Sequence, residues 1–135
     1  MDRPLVGGCL CRALRYRCAL PAGTASYCHC ESCRRAAGAH AVAWFTVRIG
    51  KYQFDTGSPA EFASSAGVRR GHCARCGTTL TYWSATSPDT IDITVASLDD
   101  PGRLPPTRHI WMDDAVAGDS GADGLPRFPR SSVGS

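Results

Sequence analysis

The stretch Cys73-Ala74-Arg75-Cys76-Gly77 decides how the rest of this chain is read. Two thiols three residues apart can clasp one metal ion in a tight knuckle. The glycine that follows tolerates the positive φ that turns backbone N–H groups toward sulfur. Such a pair is half of a site. Cys9-Leu10-Cys11 offers the other half, because positions i and i+2 of an extended segment face the same way. Together the four make a closed, all-thiolate tetrahedral site that ties the N-terminal stretch to the middle of the chain. A redox pair is the competing use of a CxxC, but no βαβ pattern surrounds this one.

A second group, Cys28-His29-Cys30-Glu31-Ser32-Cys33, places three sulfurs within six residues. Three protein ligands leave a tetrahedral metal one open position, which a catalytic zinc uses for water or substrate. A fourth protein ligand, His29, His72 or Cys18, would instead close the site and make it structural. Cys30 and Cys33 stand at the mouth of a short helix expected over Glu31–Ala37 and stopped by Gly38. A helix N-terminus and the adjacent Arg34-Arg35 both favour thiolate. The lone Cys18 reads most simply as a buried apolar residue at a strand end.

Eight cysteines in 135 residues is a high count for a chain with no other mark of secretion. Met1-Asp2-Arg3-Pro4-Leu5 lacks the basic-then-apolar pattern of a signal peptide, so a cytoplasmic location is expected. No run approaches the roughly 18–20 apolar residues of a membrane span. In a reducing compartment, metal ligation explains the cysteines better than disulfides do. Hydrophobic residues at 43% and charged residues at 20% fit one globular domain. Residues 1–80 hold 11 basic and 4 acidic side chains, net +7, whereas residues 81–135 hold 4 and 8, net −4. All the cysteines lie in the basic portion, where cations would offset the negative charge of thiolate clusters on zinc. That portion lacks lysine-rich runs and interleaved aromatics, which argues against a nucleic-acid partner.

Short β-like runs alternate with Gly, Pro and Ser punctuation. Strands are expected over Ala13–Cys18, Thr24–Cys28, Ala41–Val47, Tyr52–Thr56, Val68–Cys73, Thr79–Trp83 and Ile91–Ala96, the last with Ile91, Ile93 and Val95 on one face. Leu98–Leu104 reads as a turn broken by Pro101-Gly102. No segment carries a long helical period, so the class is mainly β: short strands around metal knuckles, with one short helix. The zinc domain is expected over residues 1–112. Residues 113–135, rich in Asp, Gly, Ser and Pro, should form a surface segment whose last five or so residues are disordered.

Four motifs then occur in a telling order: Gly7-Gly8-Cys9-Leu10-Cys11, Tyr27-Cys28-His29-Cys30-Glu31-Ser32-Cys33-Arg34-Arg35, Cys73-Ala74-Arg75-Cys76-Gly77-Thr78 and Arg108-His109-Ile110-Trp111. Their combination resembles the glutathione-dependent formaldehyde-activating enzyme family, which includes the centromere protein V-type domains. The resemblance implies a β-tent fold with two zincs per chain. It implies a structural zinc on Cys9, Cys11, Cys73 and Cys76, and a catalytic zinc on Cys28, Cys30 and Cys33. It also implies carbon–sulfur lyase chemistry on a small thiol–aldehyde adduct, as in the joining of formaldehyde and glutathione to S-(hydroxymethyl)glutathione. A non-catalytic thiol carrier is the rival implied function. Two stretches depart from the family pattern. Gly71-His72 stands where members carry an aromatic or bulky apolar residue, and Met112–Gly118 replaces a basic residue and a Pro-Trp segment.

Arg34 and Arg35 are the cations nearest in sequence to the open site, and they read either as a clamp for glutathione carboxylates or as a solvated helix face. His29, between two ligand cysteines, should point away from the metal. His40 reads as a surface residue. His72 reads either as a neighbour of the site or as a packed strand residue. His109 reads as a catalytic residue or as the anchor of a C-terminal strand. Trp44, Trp83 and Trp111 read as core.

Overall fold

The alternations that mark a strand in the sequence are carried through into one large sheet. The computed structural model describes residues 3–21, 23–119 and 123–132. In chain order the described strands are β1 (Leu5–Gly8), β2 (Arg15–Cys18), β3 (Ser26–Cys28), β4 (Val42–Arg48), β5 (Tyr52–Thr56), β6 (Ala60–Ser65), β7 (Val68–His72), β8 (Thr79–Ser84), β9 (Thr90–Thr94) and β10 (His109–Ile110). One helix, α1 (Glu31–Ala37), lies between β3 and β4. Strands β1, β2 and β5 form a three-stranded sheet, and the other seven form a second sheet in the order β10-β3-β4-β9-β8-β7-β6. The fold is mainly β, as expected, and among the described residues no helix is long and apolar enough to cross a membrane.

The two faces of the large sheet have different fates. On β4 and β9, Phe45 pairs with Ile93 and Val47 with Ile91. These four side chains join Leu5, Tyr16 and Cys18 of the small sheet in the main core. Full burial of each such apolar side chain is worth about 1.5–3 kcal/mol. The intervening residues point the other way, because side chains alternate along a strand. There Val42 and Trp44 cluster with Cys28 and Cys33. Helix α1 stands over that second face. Cys30 caps its N-terminus by accepting the Cys33 N–H, and Gly38 ends it in the left-handed region at φ 66°.

Three strands escape the sequence reading: β1, β6 and β10. β1 ends in two glycines and has only two apolar residues. β6 is exposed along most of its length. β10 is two residues long and pairs in parallel with β3, His109 beside Tyr27 and Ile110 beside Cys28. At the other extreme, the strand expected to reach Ala96 stops at Thr94, where Val95–Ser97 tightens into a 3-10 turn. The C-terminal stretch folds back along β10. His109 and Trp111 donate backbone N–H groups to the Pro126 and Arg130 carbonyls, and Phe128 returns one to His109. Residues 133–135, within the stretch expected to be disordered, lie outside the described residues.

The departure at Gly71-His72 has a packing cause. Pairing between β7 and β8 slips by one residue here, so Gly71 faces Thr81 and His72 faces Thr79. A Cβ on Gly71 would overlap Thr81 Oγ1 and come within 3.3 Å of Pro59 Cβ. Gly71→Ala should therefore lower the unfolding free energy by about 1–3 kcal/mol, as overpacking does. Urea denaturation measures this, and an unchanged midpoint would show that the strands part without strain.

Candidate metal centres and active site

The sulfurs of Cys9, Cys11, Cys73 and Cys76 all lie within 4.8 Å of one another. Cys9 to Cys11 is 3.6 Å and Cys11 to Cys73 is 3.8 Å. A tetrahedron with metal–sulfur bonds of about 2.3 Å has sulfur–sulfur edges of about 3.8 Å, so the donor set fits a thiolate-bound metal. Backbone N–H groups turn toward the sulfurs as the knuckle requires. Leu14 donates to Cys9 Sγ, and Arg75 and Cys76 donate to Cys73 Sγ, at 3.3–3.4 Å. Gly77 has φ 83°. Thr78 joins the two halves: its hydroxyl lies 3.2 Å from Cys76 Sγ and accepts the Leu10 N–H at 3.0 Å. The Thr78 hydrogen bonds hold the Cys76 thiol down, at about 5.

One detail of the expectation is corrected. Cys9 and Cys11 converge on a turn, not on an extended segment. The Arg12 N–H bonds the Cys9 carbonyl, Arg12 itself is left-handed at φ 67°, and Cys9 N–H bonds Leu14 O. The turn, and not strand pleating, brings the i and i+2 sulfurs to one side.

Cys28, Cys30 and Cys33 also lie within 4.8 Å of one another, and among the described residues no other Cys, His, Asp or Glu joins them. The three candidates for closing the site are engaged elsewhere. Cys18 is in the main core. His72 packs edge-on against Phe62. His29 points away, as expected, and its Nε2 lies 2.8 Å from His109 Nδ1. His109 Nε2 in turn meets Asp123 Oδ2 at 2.8 Å, and its ring stacks on Tyr27. Burial and the neighbouring His109 lower the His29 pKa. Of the three thiols, Cys30 ionises most readily: hydrogen bonds from Cys28 and Cys33, the latter's backbone N–H and the Arg70 charge all favour its thiolate.

The triad opens onto a cavity of about 680 Å³ on the second face of the large sheet, a usual size for a small-molecule site. Trp44, Tyr82 and Trp111 give it aromatic walls, and hydroxyls from several strands, Ser26, Thr46 and Ser84 among them, give it a polar surface. Trp111 holds a left-handed φ of 59°, uncommon for a bulky residue. The Trp44 indole N–H is buried and finds no acceptor among the described residues. Trp44 and Trp111 are therefore cavity-wall residues and not only core.

Arg34 and Arg35 are not among the lining residues. Both reach back to Glu31 at 3.8 and 3.2 Å, the i−3 and i−4 pairing natural to a helix. The cavity's cations are Arg70 and Arg108, and its acids include Asp92, Glu31 and Asp114. Arg108 Nε donates to Ser26 Oγ at 2.7 Å. Asp92 accepts the Thr46 hydroxyl at 2.6 Å, and burial raises its pKa. Arg70 and Asp92 were not singled out in the sequence. The signal for Asp92 was its place between Ile91 and Ile93 on an alternating strand, and Arg70, in a strand without alternation, gave none. His40 is exposed, 3.8 Å from Asp119.

A family model for the glutathione-dependent formaldehyde-activating enzyme matches residues 4–114, a span that contains both cysteine clusters. An uncharacterized lyase of Schizosaccharomyces pombe is 31% identical over 81 residues, 60% of this chain and 58% of that relative's length. A crystal structure of a Rhodobacter sphaeroides protein shares the fold at a TM-score of 0.62 and 18% identity, covering 91% of this chain and 98% of that one.

The four-cysteine cluster joins segments more than 60 residues apart, so the metal it could hold should carry much of the folding free energy. Cys76→Ser is expected to give aggregated or unfolded protein in circular dichroism and to lose metal in elemental analysis. A well-folded, metal-replete variant would remove the cluster's structural role.

Proposed function

This chain belongs to the glutathione-dependent formaldehyde-activating enzyme family, and from that membership we propose that it is a carbon–sulfur lyase acting on the adduct of a small thiol and an aldehyde. The observation that carries the reading is the three-thiol cluster, with no fourth protein ligand among the described residues, at the wall of a cavity of small-molecule size. Zinc suits both donor sets, being four-coordinate and at home with sulfur. Cys9, Cys11, Cys73 and Cys76 would hold the structural ion, and Cys28, Cys30 and Cys33 the one in the cavity. Bound there, zinc would supply Lewis acidity and favour the thiolate form of a thiol ligand.

The chain's own groups would orient the adduct. Arg108, a half-buried residue, lines the cavity and is suited to a glutathione carboxylate. Glu31 is suited to the amine. The free Trp44 indole N–H offers one further donor. In the forward direction the thiolate sulfur bonds the aldehyde carbon, and the carbonyl π pair moves to oxygen, which takes a proton. Asp92, with its raised pKa, is the candidate proton carrier. Cleavage is the reverse. Glutathione and formaldehyde are thus the proposed partners. We place it in the cytoplasm, where reducing conditions would leave its cysteines available to metal. We take residues 1–112 as the zinc domain and 113–135 as a C-terminal surface segment and tail.

Chelator is expected to remove the cavity metal first, abolishing turnover while far-UV circular dichroism persists. Simultaneous loss of both metals with unfolding would overturn the division of roles. Calorimetry should find glutathione bound more tightly than cysteine or an unrelated small thiol, and equal weak binding of all three would reject a dedicated glutathione site. Arg108→Ala should weaken that binding by about 1.5–3 kcal/mol, the range for hydrogen bonds to charged groups. Asp92→Asn should reduce turnover with little change in binding. Binding without any turnover in the parent protein would assign a thiol carrier instead.

A further inference from the structure

One cation of the cavity wall is buried. Arg70 is 3% exposed. Its Nη1 and Nη2 each lie 3.6 Å from Cys33 Sγ. Its Nε donates to Ser64 Oγ at 3.1 Å, and the guanidinium sits 5.0 Å from the centre of the Tyr82 ring. None of these partners is a carboxylate, and no described acid forms an ion pair with it. Arginine is charged at every accessible pH. A buried charge without a counter-charge is strongly unfavourable, so Arg70 is placed to meet negative charge on sulfur. Tyr82 shields one side of the guanidinium from water and so strengthens that attraction.

The arithmetic of charge gives this contact a purpose. Three thiolates and one divalent cation carry a net charge of −1. A thiolate ligand arriving in the fourth position would raise it to −2. With Arg70 included, the same states are 0 and −1. We propose that Arg70 is a positioning and specificity-determining residue, whose charge stabilises a metal on Cys28, Cys30 and Cys33 and admits an anionic thiolate as the fourth ligand. Among the described contacts, Arg70 brings its guanidinium to a triad sulfur, whereas the ion pairs of Arg34 and Arg35 are to Glu31. The inference rests on the reading of the cysteine triad as a metal centre.

The test uses the full chain loaded with cobalt(II), whose sulfur-to-metal absorption reports the ligand set. Two quantities are read: the cobalt affinity of the weaker site, by chelator competition, and the affinity for 2-mercaptoethanol, by spectral titration. That probe has no carboxylate, so Arg108 contributes nothing to it. Arg70→Met should lower cobalt affinity by about 10–100-fold, the usual cost of removing an outer-shell partner. It should weaken 2-mercaptoethanol binding by about tenfold or more. Arg70→Lys, which keeps the charge, should recover most of both. Ser64→Asp, at an exposed strand position, should lower both with Arg70 intact, because its carboxylate draws on the same guanidinium.

Wild-type values in Arg70→Met would overturn the proposal, as would a Met variant that outperforms Lys, the mark of a packing role. If Arg70→Met does not fold, Ser64→Asp decides, and unchanged affinities there overturn the proposal. A wild-type chain that takes only one cobalt would overturn the metal-centre reading and this inference with it. That result is distinct from two cobalts bound with variants that behave like wild type.

Discussion

The meeting of two distant sulfur pairs, Cys9 and Cys11 with Cys73 and Cys76, is the contact on which the rest of the structure depends. β1 runs into the first pair and β7 ends at the second, so their convergence fixes the small sheet against the large one. Thr78, touching both a sulfur and the Leu10 N–H, commits the two segments to a single geometry. The core then fills the space between the sheets.

Fixing the small sheet on one face leaves the opposite face of the large sheet for chemistry. The division is visible in adjacent residues. Phe45 faces the core, while Trp44 and Thr46 face the cavity. Ile91 and Ile93 face the core, while Asp92 lies between them on the other side. The same two-residue period that makes the strand amphipathic therefore sorts structural residues from functional ones. β3 and the start of α1 bring Cys28, Cys30 and Cys33 to this second face, and β10 clamps the outer edge. The His29–His109–Asp123 chain continues that clamp into the returning C-terminal stretch.

Both cysteine sets were legible from spacing, because a metal knuckle is a local pattern with little tolerance. The seven strands read from alternation and the single helix were legible for the same reason. What escaped was non-local. β6 has few apolar residues to signal it, since one side meets solvent, and β10 exists by pairing with β3. The cations show the difference most clearly. Arg34 and Arg35 follow Cys33 directly in sequence, and on the helix both lie within ion-pair distance of Glu31, three and four residues back. Arg70 is 37 residues from Cys33 and reaches it across the sheet. Proximity in sequence does not reveal such a contact, whereas strand parity, with Ile91 and Ile93 on the core face, places Asp92 on the cavity face.

The distinction between a lyase and a thiol carrier turns on Asp92 more than on the cysteines. Either function needs a site that holds a thiolate, and the sulfur triad with its neighbouring cation serves both alike. Making or breaking the carbon–sulfur bond also requires a proton to reach or leave the aldehyde oxygen. A carboxyl is useful for that when its pKa lies nearer neutrality than in water. Burial moves Asp92 in that direction, while the Thr46 hydroxyl pulls the other way and keeps one oxygen oriented. A mere carrier gains nothing from a half-buried acid whose charge costs desolvation. That such an acid lines the cavity into which the triad opens supports the reading of turnover over storage.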